Sequence, residues 1–229
     1  MSAIADNLQA VRIRIAAAER RYGRPPGSVQ LLAVSKTKPL ADILAAHAAG
    51  QTAFGENYVQ EGVDKCQASR DLRLTWHFIG PLQTNKTRPV AENFAWVHSL
   101  DRLKVAQRLA AQRPAGLPPL QVCVQVNVSG AASKSGCAPA AASELCHAVA
   151  ALPNLCLRGL MTIPEPSNEF TAQRRPFRQL RELLEQLRAE GLALDTLSMG
   201  MTHDLEAAIA EGATLVRIGT AIFGERNYA

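Results

Sequence analysis

The sequence predicts an α/β protein, a single TIM-type (β/α)8 barrel of parallel strands with an extra helix at its N-terminus. Three observations predict it. Segments of helical period alternate with eight short apolar, β-branched segments, the pattern of a parallel sheet covered by helices. No G-x-G-x-x-G follows the first strand, which argues against the competing open, doubly wound sheet. The last strand is followed by almost nothing, while a helix precedes the first strand and is expected to cover the place of a missing eighth helix. The chain has 229 residues, 47% of them hydrophobic. That is close to the ~250 residues usual for such barrels, and residues 1–229 read as one barrel domain.

Each element follows from its own pattern. Ile4, Leu8, Val11 and Ile15 recur at helical spacing in residues 3–21, and Gly23 follows the basic end. Residues 31–35 are a strand, 41–50 a helix ending on Gly50, and 52–57 a short strand leading through a turn to a helix ending near residue 68. A strand at 76–80 precedes a short helix near 82–93, and 94–99 form the fourth strand. Asp101 is placed to cap a helix running to about residue 113. LQVCVQVNV, 120–128, is the clearest strand. A helix at 138–151, a strand at 157–163 and a helix at 170–190 follow, the last with Phe177, Leu180, Leu183, Leu184 and Leu187 on one face. A strand at 194–200, a helix at 204–212 and a final strand and turn at 214–224 complete the series. GLPP, 116–119, is a stiff loop, not a linker.

Composition excludes several function classes. No apolar run is long enough for a transmembrane helix. Asp6, Arg12 and Arg14 interrupt the N-terminal segment, so it is no signal-peptide core, and a cytoplasmic protein is expected. Five cysteines are scattered without a C-x-x-C pair, which favours reduced buried thiols over a disulfide framework or a metal site. The net charge is +5 with 5% aromatic residues. The basic run at 174–188 is interleaved with Glu182 and Glu185. It reads as the solvated face of a helix, so neither nucleic acid nor membrane is expected as a partner.

Chemistry in such a barrel gathers at the C-terminal ends of the strands, and the polar residues fall there. LLAVSKTKP turns abruptly from apolar to basic. Lys36 shares the parity of Leu32 and Val34, whereas Pro39 is expected to take Lys38 into the loop. A lysine in an apolar barrel mouth loses its proton more readily and becomes a nucleophile for aldehydes; a snorkelling or salt-bridged lysine is the plain alternative. SMGMT after strand seven and IGT after strand eight offer Gly200, Gly219 and Thr220 as a phosphate cradle, or merely as turns. A phosphate site on the rim that carries Lys36 points to pyridoxal 5′-phosphate. Arg217, inside an apolar strand, needs a partner, either cofactor or an ion pair within the barrel. His77 reads as a satisfied core residue. His47, His98 and His147 lack ligand spacing, His203 and Asp204 could cap a helix, and Glu56 and Glu61 resemble first-turn helix acids.

LLAVSKTKP, FGENYVQE, WHFIGPLQTNK, KSG at 134–136, LRGLMTIP and LSMGMTHDLEAAIAEGATLVRIGTAIFG together resemble the pyridoxal-phosphate homeostasis protein family. The resemblance spans residues 4 to 228. It implies a fold-type III barrel like the N-terminal domain of alanine racemase, binding pyridoxal 5′-phosphate without established catalysis. Carried over by position, Lys36 would hold the cofactor as a Schiff base. Ser198, Gly200, Gly219 and Thr220 match the phosphate-cradling segments, and Arg217 an arginine near the ring or phosphate. Asn57 and Met161 match cofactor neighbours. Thr202 stands where relatives commonly carry serine, and His203 where an acidic residue is frequent. The implied role is intracellular vitamin B6 homeostasis, with pyridoxal-phosphate-dependent apoenzymes as recipients; a monomer is expected because the racemase's second domain, a dimer-forming element, is missing. An amino-acid racemase is the alternative, disfavoured because the chain stops just after strand eight and leaves no domain to supply a second base. A cofactor-free class I aldolase using Lys36 is a third reading.

Overall fold

The computed structural model describes residues 3–131 and 134–225. The barrel is closed and all parallel, with strand order β1 to β8 following the chain. The strands are β1 (Gln30–Val34), β2 (Ala53–Glu56), β3 (Thr75–Phe78), β4 (Trp96–Leu100), β5 (Leu120–Gln125), β6 (Leu155–Met161), β7 (Thr196–Ser198) and β8 (Leu215–Ile218). The helices are α1 (Ala3–Arg21), α2 (Leu40–Ala48), α3 (Val59–Ala68), α4 (Thr87–Asn93), α5 (Leu103–Gln112), α6 (Ala142–Ala150), α7 (Phe170–Ala189), α8 (Leu205–Ala210) and α9 (Thr220–Phe223). Two 3-10 turns, Thr84–Lys86 and Pro139–Ala141, lead into α4 and α6.

Alternation along each strand sorts the side chains. Phe54, Trp76, Phe78, Val97, Val122 and Leu160 belong to the large core under the helices. Leu32, Ile79 and Leu215, with Val34 and Ala53, form a separate small cluster inside the barrel. Closure comes from β1 pairing with β8, with Leu32 opposite Arg217 and Ala33 opposite Ile218. As expected, α1 packs on α8 and on the single-turn α9, where a full eighth helix would lie. Its Arg14 pairs with Glu206 of α8 at 2.9 Å, and its Asn7 donates to the Ile222 carbonyl at 3.0 Å.

The element ends differ from the sequence reading. Strands β3 and β7 stop two residues earlier than expected, because Ile79–Gly80 and Met199–Gly200 already belong to the loops. Asp101 does not cap α5. Arg102 occupies the N-cap position without a side-chain cap, and Asp101 pairs with Arg102 instead. The basic face of α7 is not merely solvated: Arg174 and Arg178 reach the buried Glu211 carboxylate at 2.6 and 3.2 Å.

Candidate functional site at the C-terminal rim

Seven of the eight residues expected at the site lie at or just beyond the C-terminal ends of β1, β2, β6, β7 and β8, and Arg217 lies one residue inside the end of β8. Lys36 follows Ser35, whose N–H continues the β1–β2 ladder by donating to the Gly55 carbonyl at 3.0 Å. It is half-buried and precedes Thr37, which sits at φ 64°, a region costly for a β-branched residue. The turn is held from below. Lys65 Nζ donates to the Ser35 carbonyl at 2.8 Å, to Glu56 Oε1 at 2.8 Å and to Glu61 Oε1 at 2.6 Å. Glu61 Oε1 also accepts from the Thr37 N–H at 2.6 Å, and Glu56 Oε1 from the Ser35 hydroxyl at 2.6 Å. Glu56 is therefore not a first-turn helix acid. It is the last residue of β2, turned away from the barrel axis and fully buried. Burial pushes its carboxyl above the ordinary range, and Lys65 and Ser35 oppose that. Lys38 is tied elsewhere, its Nζ donating to the Glu225 carbonyl at 2.8 Å.

On the far side of the rim, Met161 pairs in register with Ser198. Ser198 is fully enclosed. Its Oγ accepts from Arg217 Nη1 at 2.7 Å and lies 2.7 Å from His98 Nδ1. Arg217 Nη2 donates to the Thr162 carbonyl at 2.8 Å. Among the described residues no carboxylate forms an ion pair with Arg217. Desolvation lowers its pKa to about 10, with the field of Asp204 acting against the shift. Asp204 does not cap α8 through its side chain; its Oδ1 accepts from the Met201 N–H at 2.5 Å.

The glycines fit close approaches. Gly200 is at φ 97°, and a Cβ there would meet the Ala208 Cβ at 2.6 Å. A Cβ on Gly219 would lie 3.2 Å from the Val34 carbonyl oxygen, so the β8 turn packs on the end of β1, two residues before Lys36. Among the described residues, the N–H groups of Thr220 and Ala221 at the start of α9 donate to no protein group. Asn57 is half-buried, and its Oδ1 is sealed from solvent without a partner. It lines a rim cavity of about 180 Å³ with Ile79, Gln125, Lys134 and Ser135.

The sequence matches the family described as alanine racemase, N-terminal domain, over residues 7–227. It is 64% identical to the pyridoxal phosphate homeostasis protein of Pseudomonas aeruginosa, covering 100% of this chain and 98% of that one. The protein of the same name from Escherichia coli is 55% identical, over 100% and 99% of the two chains. The chain belongs to the pyridoxal phosphate homeostasis protein family. Among solved structures, PipY of Synechococcus elongatus with pyridoxal phosphate bound aligns with a TM-score of 0.83 at 38% identity, over 96% of this chain and 100% of that one. Alanine racemase from Corynebacterium glutamicum aligns at 0.72 and 18% identity, over 97% of this chain and 60% of that one, and shares the fold.

In this member of the pyridoxal phosphate homeostasis family, the rim brings together groups that could hold such a cofactor. It has an amine just past the end of β1, unspent amide donors at the start of α9, a buried guanidinium and an orphaned amide oxygen. Sequence reasoning missed the Glu56–Lys65–Glu61 cluster and the contacts of His77 and His98. Lys65 stands four residues after Glu61, an available helical-pair signal. His77 and Ile79 share a parity that was also readable, since Ile79 faces the barrel interior.

Proposed function

We propose that the chain holds pyridoxal 5′-phosphate at the C-terminal rim, with Lys36 as the covalent anchor, and serves as a carrier in vitamin B6 homeostasis rather than as an enzyme. The cofactor supplies an aldehyde that condenses with an amine with loss of water, and a phosphate that takes N–H donors. The observation that carries this reading is the packing of Gly219 against Val34. It sets the donor turn of Gly219 and Thr220 beside the strand end that bears Lys36. In this reading Gly200 and Gly219 let backbone approach the phosphate. Arg217 and Ser198 hold each other in the barrel below it, and Asn57 and Met161 border the cofactor. The names of the relatives support a homeostatic role. We further propose a cytoplasmic monomer whose recipients are pyridoxal-phosphate-dependent apoenzymes.

Titration of the purified protein with pyridoxal phosphate tests the reading. A new absorption band is expected, with borohydride fixing label on Lys36, and Lys36→Ala abolishes both. Protein that stays spectrally unchanged sinks the proposal, and with it the racemase alternative. The match to the alanine racemase domain favours that alternative. Sustained α-proton exchange of single-enantiomer amino acids in deuterated water by the loaded protein would establish it over the carrier.

A further inference from the structure

The barrel has a second opening. On its N-terminal face, between the strand starts and α1, lies a cavity of about 900 Å³ bordered by Arg12, Glu19, Thr75, His77, Asp195 and Thr214. His77 is 3% exposed and stacks on Trp96 with ring centroids 5.3 Å apart. Its Nδ1 lies 2.9 Å from His98 Nε2, and His98 Nδ1 lies 2.7 Å from Ser198 Oγ, which already accepts from Arg217.

Counting protons fixes the direction of this chain. An arginine can only donate. The enclosed Ser198 hydroxyl has His98 Nδ1 as its acceptor, and an unused buried donor would cost about 1–3 kcal/mol. Burial keeps both rings neutral, lowering His77 to about 3 and His98 well below the usual range. A neutral ring has one N–H. With Nδ1 accepting from Ser198, His98 carries its proton on Nε2 and donates to His77 Nδ1. His77 then carries its proton on Nε2. That N–H finds no acceptor among the described residues, yet it is not sealed off, and it opens on the cavity that His77 lines.

The remaining lining is spent in the opposite sense. Glu19 accepts from the N–H groups of Gly27 and Val29, and Asp195 from Arg158 and Thr196. Left over are groups that can donate: the hydroxyl of Thr75, the hydroxyl proton of Thr214, whose oxygen accepts from the Leu197 N–H at 2.9 Å, and the guanidinium of Arg12, which bonds the neutral oxygens of Ala49 and Gln51. We propose that the N-terminal mouth is a second binding site, for a small oxyanion, carboxylate or phosphate, with the His77 Nε2–H as its central donor and Arg12 as its cationic wall. Through His98 and Ser198 the site shares a hydrogen-bond chain with Arg217 at the other end of the barrel.

Long-range proton–nitrogen spectra of the full chain, labelled at histidine and free of cofactor, test this. His77 and His98 should both be neutral with the proton on Nε2. Sodium acetate and inorganic phosphate, each titrated against chloride at matched ionic strength, identify the class. A saturable shift of His77 Nε2 with acetate alone assigns a carboxylate, and with phosphate alone a phosphate. Arg12→Gln, at a side chain that makes no hydrogen bond to either histidine, should weaken the response about tenfold. A proton on His77 Nδ1, no saturable shift, or a shift that chloride reproduces overturns the proposal.

Discussion

Two lysines two residues apart have different surroundings. Lys36 sits in a turn clamped on both sides, at the Ser35 carbonyl and the Thr37 N–H, whereas Lys38 reaches the C-terminal segment. Both share the parity of Leu32 and Val34, and what sets them apart in the sequence is Pro39, which follows Lys38 directly and ends the strand register there. The place of Glu56 is not legible locally, because its burial depends on Lys65, nine residues on, folding back beneath it. Ser198 and His98 are 100 residues apart, and nothing local announces such a pair. Among the glycines, Gly80 is the sharpest test of how the rim is built. A Cβ there would stand 2.1 Å from the Asn57 carbonyl oxygen, a backbone atom with no easy retreat. Gly80→Ala is expected to destabilise the fold by about 2 kcal/mol or more and to weaken pyridoxal phosphate uptake by displacing Asn57. Gly116→Ala, with open space around its Cβ position, should change urea stability by less than about 0.5 kcal/mol.

At the scale of elements, period was legible and ends were not. The apolar stripe of α7 and the β-branched run of β5 declare themselves. The helix starts do not, because α2 through α9 begin without a side-chain cap hydrogen bond, which removes the signal that sequence reading relies on. The junction of β1, β2 and α3 carries a prediction. Lys65, 7% exposed, neutralises Glu56 in the interior, and Glu56 Oε2 already lacks a partner. Lys65→Met leaves that carboxylate buried and uncompensated, a change expected to cost about 3 kcal/mol. It also frees the turn that presents Lys36, so cofactor uptake should slow. Adding Glu56→Gln should recover part of the loss. A double variant no more stable in urea than Lys65→Met alone would mean that the ion pair is not what holds the junction.

At the scale of the whole molecule, the closed barrel and the covering role of α1 are both legible, since eight alternations and a helix ahead of the first strand are global patterns. The polar line across the barrel interior is not, and it sets how the molecule answers acid. His77 and His98 are buried and neutral, with folded pKa values about 3 and well below the usual range. Unfolded, each titrates near ~6.5. The unfolded chain therefore binds protons that the folded chain refuses. The stability this reflects is fully present above ~6.5 and lost as pH falls toward the folded values. Each ring should contribute a slope approaching about 1.4 kcal/mol per pH unit once pH is well below 6.5. Glu56 and Asp204 act in the opposite sense, because burial raises their carboxyls and the folded state takes up those protons first. The clearest window is therefore pH ~6.5 to ~5, above most carboxylate titration. Urea midpoints should fall steadily across that window. Removing both titrating rings, by combining His77→Phe with His98→Leu, should flatten the curve even if it lowers stability at every pH. A wild-type profile that is level there would mean that at least one of the rings is charged in the folded barrel, and the donor chain from Arg217 to the N-terminal mouth would have to be redrawn with it.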